Sequence, residues 1–149
     1  MSERNYDALK LNSQLCFPMY ACSRELIRAY KPFLDDLGLT YTQYITMMVL
    51  WERNPMTVKE LGSHLYLDSG TLTPLLKKLE EKGLVSRRRS LTDERNLMVS
   101  LTDEGEKLRE RAAAVPEELV RGIGLTSGES AQLYGLLQRV LERTAADRD

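Results

Sequence analysis

The sequence predicts a mainly α-helical protein with one small β-hairpin, and three patterns lead to this class. Apolar residues recur at helical spacing near both ends of the chain, which is typical of amphipathic helices. Between them, several hydroxyl or carboxylate residues stand where they would cap a helix. After Gly83 the apolar period shortens to that of strands. The length, 149 residues, fits a single domain spanning residues 1–149.

The composition is that of an ordinary globular protein. Apolar residues make up 42% of the chain and charged residues 29%, and no apolar run approaches the roughly 20 residues of a membrane span. The N-terminus has no basic stretch followed by an apolar one, so we expect a cytoplasmic protein with no membrane partner. Two cysteines and one histidine, without metal-ligand spacing, predict no metal, no cofactor and no histidine-based catalytic triad.

The charge is unevenly distributed, although the net charge is only -1. Residues 53–95 contain 9 Lys and Arg against 6 Asp and Glu, a net +3, whereas the remainder has 12 against 16, a net -4. A basic middle between acidic flanks is typical of a DNA-binding module held in a neutral or acidic frame. The middle segment is therefore the candidate for contact with nucleic acid.

The N-terminal part predicts two helices. The first extends from about Leu9 to Lys31, where Pro32 ends it, and a short element at 33–37 follows. Its apolar seam is suited to packing against another helix and consists of Leu15, Met19, Cys22 and Leu26. A run at 40–43 resembles a capping box and opens the second helix, which ends near Asn54-Pro55.

The middle of the chain predicts two short helices joined by a tight turn. A capping box at 57–60 starts the first of them. Asp68 or Ser69 caps the second, which ends at Lys82 with Gly83 just beyond it. A helix-turn-helix of this kind uses its second helix as the recognition helix.

A hairpin follows the two helices. Its strands are predicted at 84–89 and 97–101, around a polar turn. Two short helices followed by a β-hairpin make a winged helix-turn-helix, and we place this DNA-binding lobe at about 38–102.

The C-terminal part predicts helices that have no place in such a lobe. Thr102 opens a long helix, which Pro116 interrupts, and a capping box at 126–129 starts the last helix. The apolar face of the last helix carries Leu133, Leu136, Leu137, Val140 and Leu141. Terminal helices with apolar seams most simply form a homodimer interface, so we assign about 1–37 and 103–149 to dimerisation.

Short polar and basic side chains stand near the start and middle of the predicted recognition helix. Such groups reach base edges and phosphates in the major groove, which is about 12 Å wide. The candidates are Ser69, Thr71, Thr73, Lys77 and Lys78. The alternative is a solvated amphipathic helix that happens to carry a few hydroxyls.

The hairpin is rich in arginine, which favours a DNA-binding wing. An arginine at a hairpin tip enters the minor groove or neutralises phosphates. The wing candidates are Arg87, Arg88, Arg89, Asp93 and Arg95, with the aspartate placed to brace the last arginine. The alternative is a charged strand that protects a sheet edge. Helix and wing together make double-stranded operator DNA the expected partner.

These segments resemble the MarR family of winged-helix transcriptional regulators. The string LDSGTLTPLLKKLE at 67–80 is similar to that family's recognition helix. The residues at 93–95, followed by the string VSLT at 99–102 and by Gly105, are similar to its wing. The resemblance covers about Leu9 to Arg111 and implies a regulator rather than an enzyme.

Within that family the chain resembles the organic-hydroperoxide-sensing repressors called OhrR. The strings that carry this resemblance are Leu15-Cys16-Phe17, Tyr20, Ser23-Arg24-Glu25, Tyr30-Lys31-Pro32 and Thr40-Tyr41-Thr42-Gln43-Tyr44. It implies that an organic hydroperoxide oxidises Cys16, that Tyr30 and Tyr41 hydrogen-bond to the reduced cysteine, and that oxidation releases operator DNA. Phe17 and Tyr20 are the expected lining of a pocket near the thiol.

The chemistry around Cys16 allows this role. Thiolate is the reactive form of cysteine, and Pro18 is expected to loosen the helix beside it by removing a hydrogen bond to Gln14. Tyr30 lies 14 residues further on, about 21 Å along a straight helix. A bond between Tyr30 and Cys16 therefore requires the first helix of a second subunit. The alternative is that Cys16 is a small buried apolar residue.

Cys22 is expected to pack in the apolar seam. It lies roughly 9 Å along the helix from Cys16 and on another face, too far for an intrahelical disulfide. Some members of the branch that the chain resembles use a second cysteine near the C-terminus, and no cysteine follows Cys22 here. The resemblance therefore implies a one-cysteine mechanism in which a small cellular thiol caps the oxidised Cys16. Two other functions stay open: a MarR-type regulator released by a non-covalent aromatic ligand, and a thiol peroxidase, for which a resolving cysteine is lacking.

Overall fold

The protein is described by a computed structural model, which covers residues 4–146. Backbone contacts divide the chain into two compact units, with the boundary between Tyr41 and Thr42. The first unit contains two short 3-10 helices, Asp7–Leu9 and Leu11–Ser13, and a long helix α1, Cys16–Leu37.

The second unit carries the predicted helices and hairpin. Its elements are α2 (Tyr41–Glu52, beginning at the boundary), β1 (Met56–Thr57), α3 (Val58–Leu65), α4 (Ser69–Glu81), β2 (Val85–Arg89), β3 (Leu97–Leu101), α5 (Asp103–Ala112), α6 (Val115–Ile123) and α7 (Ser127–Ala145). The interruption expected at Pro116 is confirmed. This proline lies in the first turn of α6, where a helix has no acceptor for the missing N–H.

Helix α1 begins and ends later than the sequence predicts. It starts at Cys16 rather than near Leu9, and it continues through Pro32, so the prediction that Pro32 ends it is wrong. Leu34 and Leu37 extend the helical apolar spacing and are both buried. Burial contributes roughly 1.5–3 kcal/mol for each leucine, which offsets the backbone hydrogen bond that Pro32 removes.

The β-sheet has three antiparallel strands in the order β1-β3-β2. Strands β2 and β3 form the predicted hairpin, with Val85 opposite Leu101 and Arg89 opposite Leu97. Strand β1 was not predicted, because two residues are too few to show a period. It pairs Met56 with Val99, and both side chains are buried.

The core of the second unit lies under the helix-turn-helix. Helix α4 contacts α3 and β2, and its leucine stripe is buried as predicted. The buried side chains of these elements and of β3 are Leu61, Leu72, Leu75, Leu76, Leu79, Val85 and Val99. The polar face of α4 is thereby turned to the surface.

Helix α7 contrasts with this core because none of its residues is buried within the chain. Leu133, Leu136 and Leu137 of its predicted apolar face are exposed, and Val140 and Leu141 are half-buried. The helix begins with the predicted capping box, in which Thr126 and Glu129 bond to each other's backbone N–H groups.

Candidate DNA-binding surface and thiol site

Local capping positions the two helices of the helix-turn-helix. At the start of α3, the Thr57 hydroxyl accepts a hydrogen bond from the Glu60 N–H at 3.1 Å, and the Glu60 carboxylate accepts one from the Thr57 N–H at 2.8 Å. At the start of α4, the Asp68 carboxylate accepts a hydrogen bond from the Thr71 N–H at 2.7 Å. These bonds lower the pKa of both carboxyl groups. Both helices therefore begin at residues that the sequence specifies.

The turn between α3 and α4 depends on a close backbone approach at Gly62. Tyr66 adopts the left-handed conformation, with φ of 56°, and the Leu67 N–H donates to the Gly62 carbonyl at 3.0 Å. A Cβ atom at Gly62 would lie 2.6 Å from the Leu67 carbonyl oxygen, closer than real Cβ atoms come. Glycine is therefore required for this turn.

The predicted contact residues of the recognition helix α4 are all exposed. They are Ser69, Thr71, Thr73, Lys77 and Lys78. The Thr73 hydroxyl donates to the Ser69 carbonyl at 2.8 Å, so its oxygen is left to accept from a partner. Exposure makes these side chains available to DNA, and their contacts stay a prediction.

The recognition helix and the wing both line a groove of about 570 Å³. Its lining residues come from α3, α4 and the wing: Thr57, Val58, Lys59, Gly62, Ser63, Leu67, Ser69, Leu72, Thr73, Arg95, Asn96 and Leu97. Ser69, Thr73 and Arg95 were candidates from the sequence, whereas Lys59 and Ser63 were not. The sequence held a signal for these two, because both fall on the polar face of a capped amphipathic helix.

Asp93 braces Arg95 in the wing turn, in the way the sequence suggested. The Arg95 Nε and Nη2 atoms donate to the two carboxylate oxygens of Asp93 at 3.1 and 3.3 Å. These hydrogen bonds hold the pKa of Asp93 below its ordinary value. The Arg95 side chain remains 91% exposed, so Asp93 orients the guanidinium while leaving it accessible from solvent. Arg88 and Arg89 are exposed as well.

Arg87 differs from the other wing arginines. Its side chain is only 19% exposed and forms an ion pair with Glu80 of α4, with Nη2 and Oε1 3.3 Å apart. The structure thus separates Arg87 from the exposed candidates Arg88, Arg89 and Arg95.

Cys16 is exposed and occupies the first position of α1. Pro18 lies in the same first turn, where N–H groups have no intrahelical acceptor. The expectation that Pro18 breaks a helix hydrogen bond to Gln14 is therefore wrong, since the helix does not reach back to Gln14. A negative charge on the Cys16 sulfur would lie at the positive end of the helix dipole.

The other candidates near the thiol are also exposed. Phe17 is 41% and Tyr20 58% exposed, and the Tyr20 hydroxyl accepts a hydrogen bond from Arg24 at 3.3 Å. Cys22 is exposed within the chain. The chain itself therefore does not cover the apolar seam at Cys22, the residue that the sequence placed there.

Tyr30 and Tyr41 form an aromatic pair in the first unit, with ring centroids 5.0 Å apart and an interplanar angle of 50°. Burial raises the pKa of the Tyr41 hydroxyl. Cys16 and Tyr30 lie on the same continuous helix, so about 21 Å of helix separates them. Within one chain, the predicted thiol and its predicted hydrogen-bond donor do not meet.

A second groove, of about 370 Å³, lies beside Tyr41 in the first unit. It is lined by apolar and charged residues: Arg24, Ile27, Arg28, Lys31, Leu34, Asp35, Leu39, Thr40 and Tyr41. Lys31 pairs with Asp35 at 2.9 Å, and Arg28 pairs with Glu25 at 3.1 Å. Four of its nine lining residues are charged and three are aliphatic, so it offers both charged and apolar groups to a small molecule.

Comparison with known proteins identifies the family. The family described as transcriptional regulator SarA/Rot matches residues 28–111. The chain belongs to this MarR-like family. The organic hydroperoxide resistance transcriptional regulator of Bacillus subtilis (strain 168) is 48% identical to it, over 94% of this chain and 95% of that protein. The family and branch resemblances are thus confirmed, as is the expectation of a regulator rather than an enzyme.

Solved structures confirm the winged-helix architecture of this SarA/Rot-family chain. AbfR of Staphylococcus epidermidis matches with a TM-score of 0.77 and 37% identity, over 95% of this chain and 97% of that one. Reduced AbfR bound to DNA matches with a TM-score of 0.78 and 36% identity, over 93% and 96% of the two chains. Among residues 4–146, no helix is long and apolar enough to cross a membrane.

Proposed function

We propose that this chain is a homodimeric repressor that binds double-stranded operator DNA and releases it after an organic hydroperoxide oxidises Cys16. The observation that carries the proposal is the position of Cys16, exposed at the start of α1. A hydroperoxide in solution reaches a thiol there, and the thiolate is the form of cysteine that attacks it.

The chemistry proceeds in two steps. The Cys16 thiolate attacks the terminal oxygen of the hydroperoxide, and the O–O bond breaks. The sulfur becomes sulfenic acid, while the peroxide is reduced by two electrons and leaves as an alcohol after taking up a proton. A small cellular thiol then attacks the sulfenic sulfur, which yields a mixed disulfide and water.

The release step is assigned to the mixed disulfide rather than to the first oxidation. AbfR has been solved bound to DNA in its overoxidised as well as its reduced form. Overoxidation is therefore compatible with DNA binding in that relative. A capping thiol adds a much larger group to Cys16 and would separate helices packed around it.

A second copy of the chain would complete the thiol site. Tyr30 cannot reach Cys16 along one helix, but an antiparallel α1 from a second copy would bring its tyrosine pair to this cysteine. The exposed apolar side chains of the terminal helices supply a surface for such a dimer. Leu15, Phe17, Leu133, Leu136 and Leu137 are among them. The proposed partner is therefore a second copy of the same chain.

DNA binding is proposed for the groove between α3, α4 and the wing. Its lining combines hydroxyl groups of the recognition helix with the cations Lys59 and Arg95. Hydroxyl and amide groups read base edges, while cations on either side neutralise phosphates.

The test is binding to the chain's own upstream DNA, before and after one equivalent of an organic hydroperoxide, with and without a small thiol. Wild type should bind reduced, hold its DNA in part with peroxide alone, and release it once thiol is added. Cys16→Ser should keep its DNA under every condition. Cys22→Ser is the matched control, since Cys22 is also exposed and lies on the same helix, and it should behave as wild type. Release by Cys16→Ser would overturn the proposal.

A second candidate function rests on the 370 Å³ groove beside Tyr41. In this alternative, a small aromatic ligand binds there without covalent change and releases the DNA. Its size and mixed lining favour an anionic aromatic molecule. Release of Cys16→Ser from DNA by a benzoate-type compound, with no release by peroxide, would support this alternative.

A further inference from the structure

A carboxylate of the recognition helix holds the middle of the wing strand. Glu80 lies in the last turn of α4, and its Oε2 accepts a hydrogen bond from the Arg87 backbone N–H at 3.0 Å. Its Oε1 accepts a second one from Nη2 of the Arg87 guanidinium at 3.3 Å. One side chain thus binds both the main chain and the side chain of a single residue of β2.

The backbone bond uses the free edge of the sheet. Strand β2 is an edge strand, since β3 lies between it and β1. Along an antiparallel pair, successive residues direct their N–H groups alternately towards and away from the partner strand. The Ser90 N–H donates to the Asn96 carbonyl across the hairpin, so the Arg87 N–H, three residues earlier, faces outward. Glu80 supplies the acceptor that the sheet lacks there.

The Arg87 side chain is too enclosed to act as an exposed DNA contact. It is 19% exposed, against 91% for Arg95, and its Nε atom is buried without a hydrogen-bond partner in the described part of the chain. A partly buried guanidinium is stable only while a counter-charge stays beside it. Hydrogen bonds from Arg87 lower the pKa of Glu80, which keeps that counter-charge ionised at neutral pH.

We infer that Glu80 and Arg87 are a positioning pair that fixes the wing against the recognition helix. Beyond Arg87 the strand continues through Arg88 and Arg89 into the wing turn that carries Arg95. Without the bonds between Glu80 and Arg87, the hairpin would move more freely relative to α4, and Arg95 would occupy a wider range of positions. The pair therefore holds recognition helix and wing in one arrangement before DNA arrives. This inference rests on the proposed function, because DNA is the ligand that the arrangement serves.

The operator affinity of a Glu80 variant distinguishes a positioning role from a charge effect, because the two predict changes of affinity in opposite directions. Removing a carboxylate near DNA should raise affinity by charge alone. Positioning predicts that Glu80→Ala lowers it, by about tenfold, and that Glu80→Gln lowers it less, since one oxygen acceptor remains. Glu81→Ala is the matched control, an exposed neighbour of the same charge, and should bind as well as wild type or better. Equal affinities of the Glu80 and Glu81 variants would overturn the inference.

Salt dependence separates positioning from phosphate contact. Losing a cation that neutralises one phosphate lowers the slope of log affinity against log salt by about one. Arg87→Met should weaken binding while leaving this slope unchanged, whereas Arg95→Ala should reduce it by about one. A reduced slope for Arg87→Met would make Arg87 a phosphate contact and overturn the inference.

Hydrogen exchange tests the pair without DNA. The Arg87 amide should exchange slowly in wild type and clearly faster in Glu80→Ala, while amides of the buried core strand β3 keep their rates. Unchanged exchange at Arg87 overturns the inference. A wild-type chain that binds no DNA overturns the proposed function instead, and this exchange measurement still decides whether the pair forms.

Discussion

Tyr30 and Tyr41 pack with their ring centroids 5.0 Å apart, while Cys16 lies at the other end of the helix that carries Tyr30. Burial raises the pKa of the Tyr41 hydroxyl, so this group stays protonated at neutral pH. A protonated phenol is a hydrogen-bond donor, and a thiolate is an acceptor. Within one chain the two groups do not meet, so a bond between them depends on the proposed dimer.

Removing the Tyr41 hydroxyl should slow oxidation of the thiol. We expect Tyr41→Phe to keep its operator affinity but to form sulfenate at Cys16 about tenfold more slowly, since one hydrogen bond to a charged group is lost. The rate is measured by trapping sulfenate at timed intervals after peroxide is added. Tyr134→Phe, on the exposed surface of α7, is the control and should react as wild type. Equal rates for the two variants would remove Tyr41 from the site.

Lys59 is expected to contact a phosphate. Lys59→Ala should weaken binding by a similar factor on operator and random DNA, and should lower the salt slope by about one. Affinity is measured by fluorescence anisotropy over a range of salt concentrations. Lys107→Ala removes the same charge from α5, where Lys107 pairs with Glu104. A similar loss in both variants would indicate a general charge effect instead of a contact.

Two glycines should respond to alanine with opposite sign. Gly62→Ala should destabilise the fold by about 1–3 kcal/mol, because its Cβ would overlap the Leu67 carbonyl and force the turn to shift. Gly135→Ala should stabilise it by roughly 0.5–1 kcal/mol, because this glycine is within α7 and nothing lies near its added Cβ. Denaturant unfolding of both variants gives the two values. Destabilisation at Gly135 would show that α7 is packed closely there against something outside the chain.

Helix capping makes the stability depend on acid. Hydrogen bonds at helix starts lower the pKa of Glu60, Asp68 and Glu129. In the unfolded chain these groups titrate near their ordinary values, about 4.3 for Glu and 3.9 for Asp. The stabilisation is therefore complete above those values and is lost as the pH falls through the lower folded-state pKa values.

The free energy of unfolding should accordingly decline below about pH 5. Measured by denaturant titration from pH 7 to pH 3, the decline should be smaller in Glu60→Gln and in Glu129→Gln. Glu52→Gln is the control, because this exposed carboxylate lies at the end of α2 rather than at a helix start, and it should follow wild type. A variant curve that parallels wild type at Glu60 would exclude the capping bond as a source of acid sensitivity.

Local chemistry explains why much of the fold could be predicted. Capping residues at Thr57, Asp68 and Thr126 fix where α3, α4 and α7 begin, and each bonds to the backbone as its residue type predicts. The Asp93–Arg95 brace was likewise visible, because two residues of opposite charge lie two positions apart in a turn. Signals of this kind need only a few neighbouring residues, so the sequence carries them completely.

Features that depend on distant residues were missed. Pro32 signals a helix end locally, but burial of Leu34 and Leu37 overrides that signal. Strand β1 forms only because Met56 pairs with Val99, more than forty residues away. No local periodicity in the sequence marks this strand. The ion pair of Arg87 has the same origin, since the two arginines that follow it are exposed while its partner Glu80 lies on another element.

Helix α7 buries none of its residues within the chain, so in the proposed dimer its stability would depend on the abundance of the protein. Most of the stability of a protein helix comes from packing of its apolar face. A helix that is completed by a second copy gains stability by mass action, so its folded fraction falls as the protein is diluted. Cell division without new synthesis halves the concentration of the protein. In the proposed dimer, this dilution would lower both the occupancy of operator DNA and the resistance of the chain to proteolysis. In the proposed dimer, the expression level would thus set the fraction of chains with a folded α7.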